Sequence, residues 1–407
     1  MSTAAPNRTF RQVLTVREFR WLWTADLQSL AGDQLARVGI SVLVYDRTKS
    51  ALLTSVVYGL TYLPALLGNA VLGRLADRLP RRRLLVGGDL IRAGLLATMA
   101  IPGVPVGLVA ALLAVAVMIG APWKAAESAL VSEVLADEGY VLGVTLRMVT
   151  AQGAQVLGFG VGGVVAAVIG AHLALAVDAA SFAVSAALMR FGIEPRPAPC
   201  AARADGGAAP TAARWSGVRL ALGTPRRRVL LQLSWLTGLY IVPEGLAAPY
   251  AAHFGEGATA VGVLLAANPL GVLFGSLAFA RLVSAQARAR LIVPLAMATA
   301  APLVLFAAYP DVPIAVALLF VSGLFSAYMV QVFTEYTRDV PAWGRGQAIA
   351  IASAGLLTAQ GVGVCLAGLL TAVWSPALTI AASGVAAIGW AGSLAATSRV
   401  RQPQPEL

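Results

Sequence analysis

The sequence predicts an all-α membrane protein, with twelve transmembrane helices in two pseudo-symmetric six-helix bundles. Three observations predict it. Of 407 residues, 58% are hydrophobic and 12% charged, where a soluble domain carries about 25% charged residues. A 41.8 kDa body with mean hydropathy +0.77 has too little polar surface to face water all round. Apolar runs of about 20 residues, enough to cross roughly 30 Å of hydrocarbon, recur twelve times. One long polar stretch, residues 194–226, divides them six and six.

In the first bundle, residues 1–193, the runs are read at 20–45, 51–75, 83–102, 105–129, 143–168 and 171–192. The first follows MSTAAPNRTFRQVLTVR, which is polar and basic with no apolar core and so does not read as a cleavable leader. The third and fourth are parted by Ile101-Pro102-Gly103, a helix-stopping pair. The second bundle, residues 227–407, has runs at 228–250, 258–281, 290–309, 312–335, 346–372 and 376–397. Tyr309-Pro310 and Trp374-Ser375-Pro376 mark two of its junctions. The intervening 194–226 is rich in Pro, Ala, Gly and Arg and reads as a linker, cytoplasmic in this topology.

Charge tests the topology. Arg47 and Lys49 fall in an outer loop and Arg37 and Arg92 within spans; the rest of the 30 bases lie on the side predicted to be cytoplasmic. By the positive-inside rule both termini are placed in the cytoplasm of a cell-membrane protein. The same distribution accounts for the net +11 without a nucleic-acid partner: the runs Arg81 to Arg83 and Arg226 to Arg228 hold topology and face anionic membrane lipid. Two histidines, His172 and His253, and two cysteines, Cys200 and Cys365, form no ligand cluster. No metal, cofactor or disulfide is expected.

An internal echo supports two related halves. Gly73-Arg74-Leu75-Ala76-Asp77-Arg78 closes the second span, and Gly275-Ser276-Leu277-Ala278-Phe279-Ala280-Arg281 closes the eighth, about half the chain away. Repeats about a membrane-normal axis are the architecture of one large transporter class. Read through Leu79-Pro80-Arg81-Arg82-Arg83, the first stretch resembles the loop 2–3 signature of the major facilitator superfamily, with Pro80 where the second glycine is usual. Leu30-Ala31-Gly32-Asp33, Val44-Tyr45-Asp46 and Asp178-Ala179-Ala180-Ser181-Phe182 resemble the branch of bacterial macrolide and siderophore exporters. The resemblance implies a cytoplasmic latch. Gly73 permits close helix approach, and Asp77 sits at the N-terminal end of the eleventh helix, near Gly346 and Gln347, where the dipole favours a negative charge. Arg78 and Arg82 assist it; the alternative is a solvated loop that only fixes orientation. In the fifth span, Gly158-Phe159-Gly160-Val161-Gly162-Gly163 is similar to an antiporter signature, with Phe159 in place of Pro. Gly158, Gly162 and Gly163 equally suit plain close packing of helices.

Ionisable groups at membrane depth are costly and point to function. Asp26, Asp33 and Arg37 are spaced by seven and four residues, which puts them within about 40° on one face of the first helix. Asp33 lies ~20 Å along that helix from Arg20, near the bilayer centre. Its protonation and release as a cavity faces each side is the predicted coupling event, with Asp26 second and Arg37 tuning it. The alternative is a permanent Asp33–Arg37 ion pair bracing the helix. Glu244, beside Pro243 in the seventh span, faces a cavity if the proline opens the helix and gives the second half its own proton or cation carrier. Asp89 with Arg92 reads as a local i,i+3 pair. Lys124 and Glu127 read as snorkelling residues near the inner face, Asp178 as buried against protein, and Glu335 as interfacial.

In the fold this resemblance implies, helices 1, 4, 7 and 10 line a central cavity with parts of 2, 5, 8 and 11. Tyr62, Gln155, Trp235, Tyr240, Asn268 and Gln360 then make an amphipathic substrate pocket, although each taken singly also fits a helix–helix hydrogen bond. With Arg37 the one central base, a multiply charged anion is disfavoured; a lipophilic neutral or cationic small molecule fits. The expectation is a monomeric secondary transporter, not an enzyme, exchanging that substrate outward for protons. Its partners are substrate, protons and lipids. No GxxxxGK[ST] loop is present to bind ATP. A proton-coupled importer of a nutrient, or a transporter-like sensor, are the alternatives.

Overall fold

The computed structural model describes residues 10–135, 137–198 and 213–400. Among them every regular element is helical. Helix 1 runs Arg17–Thr48, helix 3 Arg81–Met99, helix 4 Val106–Val134, helix 5 Asp137–Ile169 and helix 6 Ala171–Gly192. Helix 8 is Ala258–Leu282, helix 9 Ala285–Val304, helix 11 Arg345–Leu370 and helix 12 Pro376–Val400. Helices 2 (Ala51–Leu72), 7 (Pro225–His253) and 10 (Val312–Asp339) are membrane-length but interrupted. Ten of the described helices are long and apolar enough to cross a membrane. Helices 1 and 3 are the other two, and both carry acids and bases inside the apolar run: Asp26, Asp33 and Arg37 in one, Asp89 and Arg92 in the other.

The interruptions have local causes. Pro64 opens the second piece of helix 2, and proline both lacks the N–H and disfavours α geometry in the residue before it. The chain there closes tighter turns, from Thr61 N–H to Tyr58 (3.0 Å) and from Tyr62 N–H to Gly59 (3.1 Å). Pro243 does the same to helix 7, where Glu244 N–H donates to the Ile241 carbonyl at 2.9 Å.

Two compact units result. One comprises Met1–Ile40 and Pro64–Gly207, the other Ser41–Leu63 and Ala208–Leu407. The hairpin Ser41–Leu63, assigned by sequence to residues 1–193, thus belongs to the second compact unit. Its helix packs on helices 7 and 11, where Gly59, Gly361 and Gly368 let backbones approach. The stretch read as a polar linker contains a helix, Ala213–Leu222, packed on helix 11, with Gly217 against Ile351 and Gln347. Cys200 and the remainder of that stretch up to residue 212 lie outside the described residues.

Each unit uses the same pairings, as a repeated six-helix bundle requires. In the first unit helix 4 packs on helices 2 and 3, and helix 3 on helix 6. In the second, helix 10 packs on helices 8 and 9, and helix 9 on helix 12. Glycine sits at the tightest crossings: Gly68 against the Met118 carbonyl, Gly271 and Gly275 against those of Phe320 and Leu324. The first unit's core joins Phe19, Leu22, Leu85, Trp123, Leu130 and Met189 from helices 1, 3, 4 and 6. Large apolar side chains elsewhere point outward, Phe191 at 76% and Leu282 at 83% exposure, as a lipid-facing surface demands.

Candidate functional site

Three groups of membrane-depth charges are built by helix packing. The first joins helices 1, 3 and 6. Asp178, Ser181, Phe182 and Ser185 recur at helical spacing, so one stripe of helix 6 presents two hydroxyls, a carboxylate and a ring. Gly32 lets that stripe close on helix 1: a Cβ there would overlap the Asp178 carboxylate and lie 2.5 Å from Ser181 Oγ. Gln28 fixes the same stripe, donating to the Ser181 carbonyl at 2.7 Å. Arg92 Nη2 donates to the two oxygens of Asp33 at 3.2 and 3.5 Å, and its guanidinium lies 3.8 Å above the Phe182 ring, a favourable stacking for arginine. Ser185 donates to Asp89 at 2.6 Å and Ser181 to Asp178 at 3.0 Å. Asp89 and Asp178 are fully buried, and Asp178 Oδ2 has no hydrogen-bond partner among the described residues. Arg92 is within electrostatic range of Asp89 and Asp178 as well as paired with Asp33. Arg92 thus bonds Asp33 while two buried carboxylates lie within its field, and of the three acids only Asp33, its side chain 33% exposed, reaches solvent-accessible surface.

Two of the sequence readings gain a partner on another helix. Asp33 pairs with Arg92 of another helix, and Arg37 sits half-buried one turn beyond. Asp89 is bonded across to helix 6 through Ser185. Both follow from tertiary packing of helices 1, 3 and 6, which i,i+3 and i,i+4 spacing cannot report.

The second group joins helices 1, 4 and 5. Arg147 grips Asp26 with Nε and Nη2 (3.2 and 3.0 Å) and also donates to Glu127. Lys124 Nζ reaches Asp26 at 3.3 Å and Glu127 at 2.9 Å. Two acids meet two bases, so the charge balances. Asp26 is 5% exposed and Glu127 0%. Glu127 is therefore interior, because helix 4 continues to Val134, while Lys124 keeps its side chain 53% exposed beside it. Arg147 was not singled out by sequence, since the fifth span was read from 143. Helix 5 begins at Asp137 and carries Arg147 inward.

The third group is in the second unit. Tyr58 donates to Glu244 Oε2 at 2.7 Å, and Ser55 to the Gly245 carbonyl at 3.1 Å. The Tyr58 and Tyr62 rings meet at a tilt of 52°, 6.1 Å between centroids, and pack with Ile241 and Val364. Tyr58 precedes the predicted Tyr62 by four residues, a spacing that on an unbroken helix puts both on one face; that spacing was the available signal.

The predicted pocket residues divide. Tyr62 is buried in that aromatic cluster, and Tyr240 is buried with its hydroxyl donating to the Ala296 carbonyl at 2.8 Å. Tyr240 thus ties helix 7 to helix 9, the helix–helix alternative. Trp235 stands beside Gly355, its indole N–H unbonded among the described residues. Gln155, Asn268 and Gln360 are half-buried on helices 5, 8 and 11. Gly158 and Gly162 lie against Ala31 and Leu35 of helix 1, and Gly163 is buried next to them. Of the latch residues, Gly73 ends helix 2, Arg78 is exposed, and Arg82 donates to the Arg190 carbonyl. The Asp77 side chain lies outside the described residues. No cluster of three metal-ligating side chains occurs among the described residues.

Comparison with known proteins fits this architecture. A protein-family model described as "Transmembrane secretion effector" matches residues 9–406. The chain is similar to a bacterial homologue of the human lysosomal transporter Spinster, in an inward-facing unoccupied crystal structure. The two are 12% identical with TM-score 0.69, covering 96% of this chain and 99% of the other. It is similar to a peptide transporter bound to sulfate (15% identity, TM-score 0.71, 97% and 96% covered). It is also similar to the nucleoside transporter NupG (14% identity, TM-score 0.71, 94% and 99% covered). Likeness at this identity shows the fold. No curated protein sequence matches the chain.

Proposed function

The chain belongs to the transmembrane secretion effector family of major facilitator transporters, and from that premise we propose that it is a proton-coupled exporter of lipophilic neutral or cationic small molecules. It works by alternating access of the bundles 1–193 and 227–407, as a monomer in the cell membrane with both termini cytoplasmic. The family description supports outward transport, as does the resemblance to macrolide and siderophore exporters.

The observation that carries the coupling is the Asp33–Arg92 bridge beside the buried Asp89 and Asp178. A proton on Asp33 removes the charge that Arg92 holds across helices 1 and 3, and its release restores the bridge. Proton occupancy then biases two arrangements of those helices, which is what a coupling ion must do. Asp26 serves as a brace, held on both oxygens by bases. Glu244, half-buried on a kinked helix and bonded to Tyr58, is the second unit's candidate for a proton or a cationic substrate. Arg92, Lys124 and Arg147 all pair with acids, which disfavours an anionic substrate. Gly73, Asp77, Arg78 and Arg82 close the inner side in this reading.

An accumulation screen of chemically diverse lipophilic compounds, with and without an uncoupler, tests the direction. Exporting cells gain substrate when the gradient is dissipated; a loss of accumulation marks an importer. In reconstituted vesicles, absence of gradient-driven flux for every compound that binds leaves a sensor.

A further inference from the structure

One end of the first unit carries a basic groove of which the transport reading uses Arg82 alone. It lies between the first turn of helix 3 and the last turn of helix 6 with the strand of chain that follows, and encloses about 660 Å³. Arg82, Arg83, Arg190 and Arg196 line it, with Val86 and Gly87 between them, and no carboxylate does. The nearby acids Glu18, Glu133 and Glu194 act on Arg196 and Arg81, which leaves Arg82, Arg83 and Arg190 as the bases without a carboxylate partner among the described residues. Glu18 accepts from Arg196 at 2.6 and 3.0 Å, and Glu133 pairs with Arg81 at 2.8 Å. Arg83 and Arg190 are exposed and form no ion pair among the described residues.

With Arg196 held by Glu18, the guanidiniums of Arg82, Arg83 and Arg190 border the open space and create a positive potential that an anion relieves, and planar N–H forks suit phosphate oxygens. Gly87 leaves the floor open: a Cβ there meets nothing within 4 Å. The first turn of helix 3 adds N–H groups without a side-chain cap. Leu90, Ile91 and Phe191 are exposed just past the groove, at 54, 53 and 76%. They offer apolar surface toward which acyl chains would extend from a headgroup held by the arginines.

We propose that this groove is a binding site for a phosphate-bearing anion, with the flanking apolar surface favouring an anionic phospholipid headgroup over free phosphate. The site is independent of Asp33 and of coupling.

Native mass spectrometry of the full chain, released from nanodiscs holding equal phosphatidylglycerol and phosphatidylcholine, tests it. Wild type retains phosphatidylglycerol over phosphatidylcholine by about tenfold, in line with the attraction of clustered arginines for anionic lipid. R83Q/R190Q, which removes two exposed side chains, brings that ratio close to one. The charge-matched R281Q/R290Q in the second unit leaves it unchanged. Displacement of the retained lipid by millimolar inorganic phosphate assigns the site to free phosphate; resistance assigns it to lipid. Equal ratios in wild type and R83Q/R190Q, with no phosphate effect on either, overturn the proposal.

Discussion

Arg147 is the base on which the charge balance of helices 1, 4 and 5 turns. It contacts both Asp26 and Glu127, whose side chains are 7% and 0% exposed. Arg147→Met leaves Lys124 alone between two buried carboxylates, and removing one partner of a buried ionic group typically costs about 3–5 kcal/mol. A melting curve of the purified variant in detergent should show that loss; an unchanged midpoint would mean the network contributes nothing. Asp26 and Asp33 were legible as acids at membrane depth, but their partners were not, because a single helix's periodicity says which face a residue occupies and not which helix meets it. For Arg147 a signal existed: it precedes Gly158 by eleven residues, close to three whole turns, on the face that packs against helix 1. Outside the spans, Glu18 answers to pH. Burial pushes its carboxyl up, but the Arg196 guanidinium and the Glu194 N–H outweigh it and hold Glu18 below its ordinary value. Its contribution is therefore present at neutral pH and lost as pH falls through that depressed value. Glu18→Gln should flatten the acid limb of stability between about pH 5 and 3, where carboxylates titrate. Parallel slopes for variant and wild type would contradict this.

Helix crossings set by glycine are the next level of organisation. Gly271 faces the Phe320 carbonyl so closely that any Cβ overlaps backbone, which has no rotamer to yield. Gly271→Ala should destabilise the helix 8–helix 10 pair by roughly 1–3 kcal/mol, the usual range for overpacking. Gly94→Ala, with nothing within 4 Å, should be neutral or gain up to about 1 kcal/mol from helix propensity. Equal melting points for the two variants would remove the crossing argument. Of the echoed pair, Gly275 sits at such a crossing, against Leu324, whereas the neighbours of Gly73 are the Asn69 backbone of its own helix, a difference that small residues at helix ends do not reveal in a single chain. The helix Ala213–Leu222 was not visible, because its amphipathic pattern is short and embedded in a Pro- and Ala-rich stretch. The pieces of helix 7 follow from Pro243 and were foreseeable in kind; the break at 60–63 in helix 2 depends on Pro64 acting together with the turn bonds before it.

Across the chain, the same helix pairings recur in both units, and the long apolar runs that revealed them are set by hydrocarbon thickness rather than by detail. That is why the fold was readable from composition and run length, while the site was not: it is assembled from residues 33, 89, 92 and 178, which only packing brings together. The hairpin Ser41–Leu63 clusters with the second unit through Tyr58 and Ser55, contacts that hydropathy does not encode. Tyr58→Phe removes the hydroxyl that holds Glu244, and should shift the pH profile of transport if Glu244 carries a proton; an identical profile would leave Glu244 outside the cycle. The central claim concerns Asp33. Flux of a screened substrate into or out of proteoliposomes, driven by an imposed pH gradient, is compared between wild type and Asp33→Asn at matched protein content. The account predicts that gradient-driven flux disappears in the variant while substrate still binds. Flux undiminished by the substitution would contradict it and reduce the Asp33–Arg92 bridge to a structural strut.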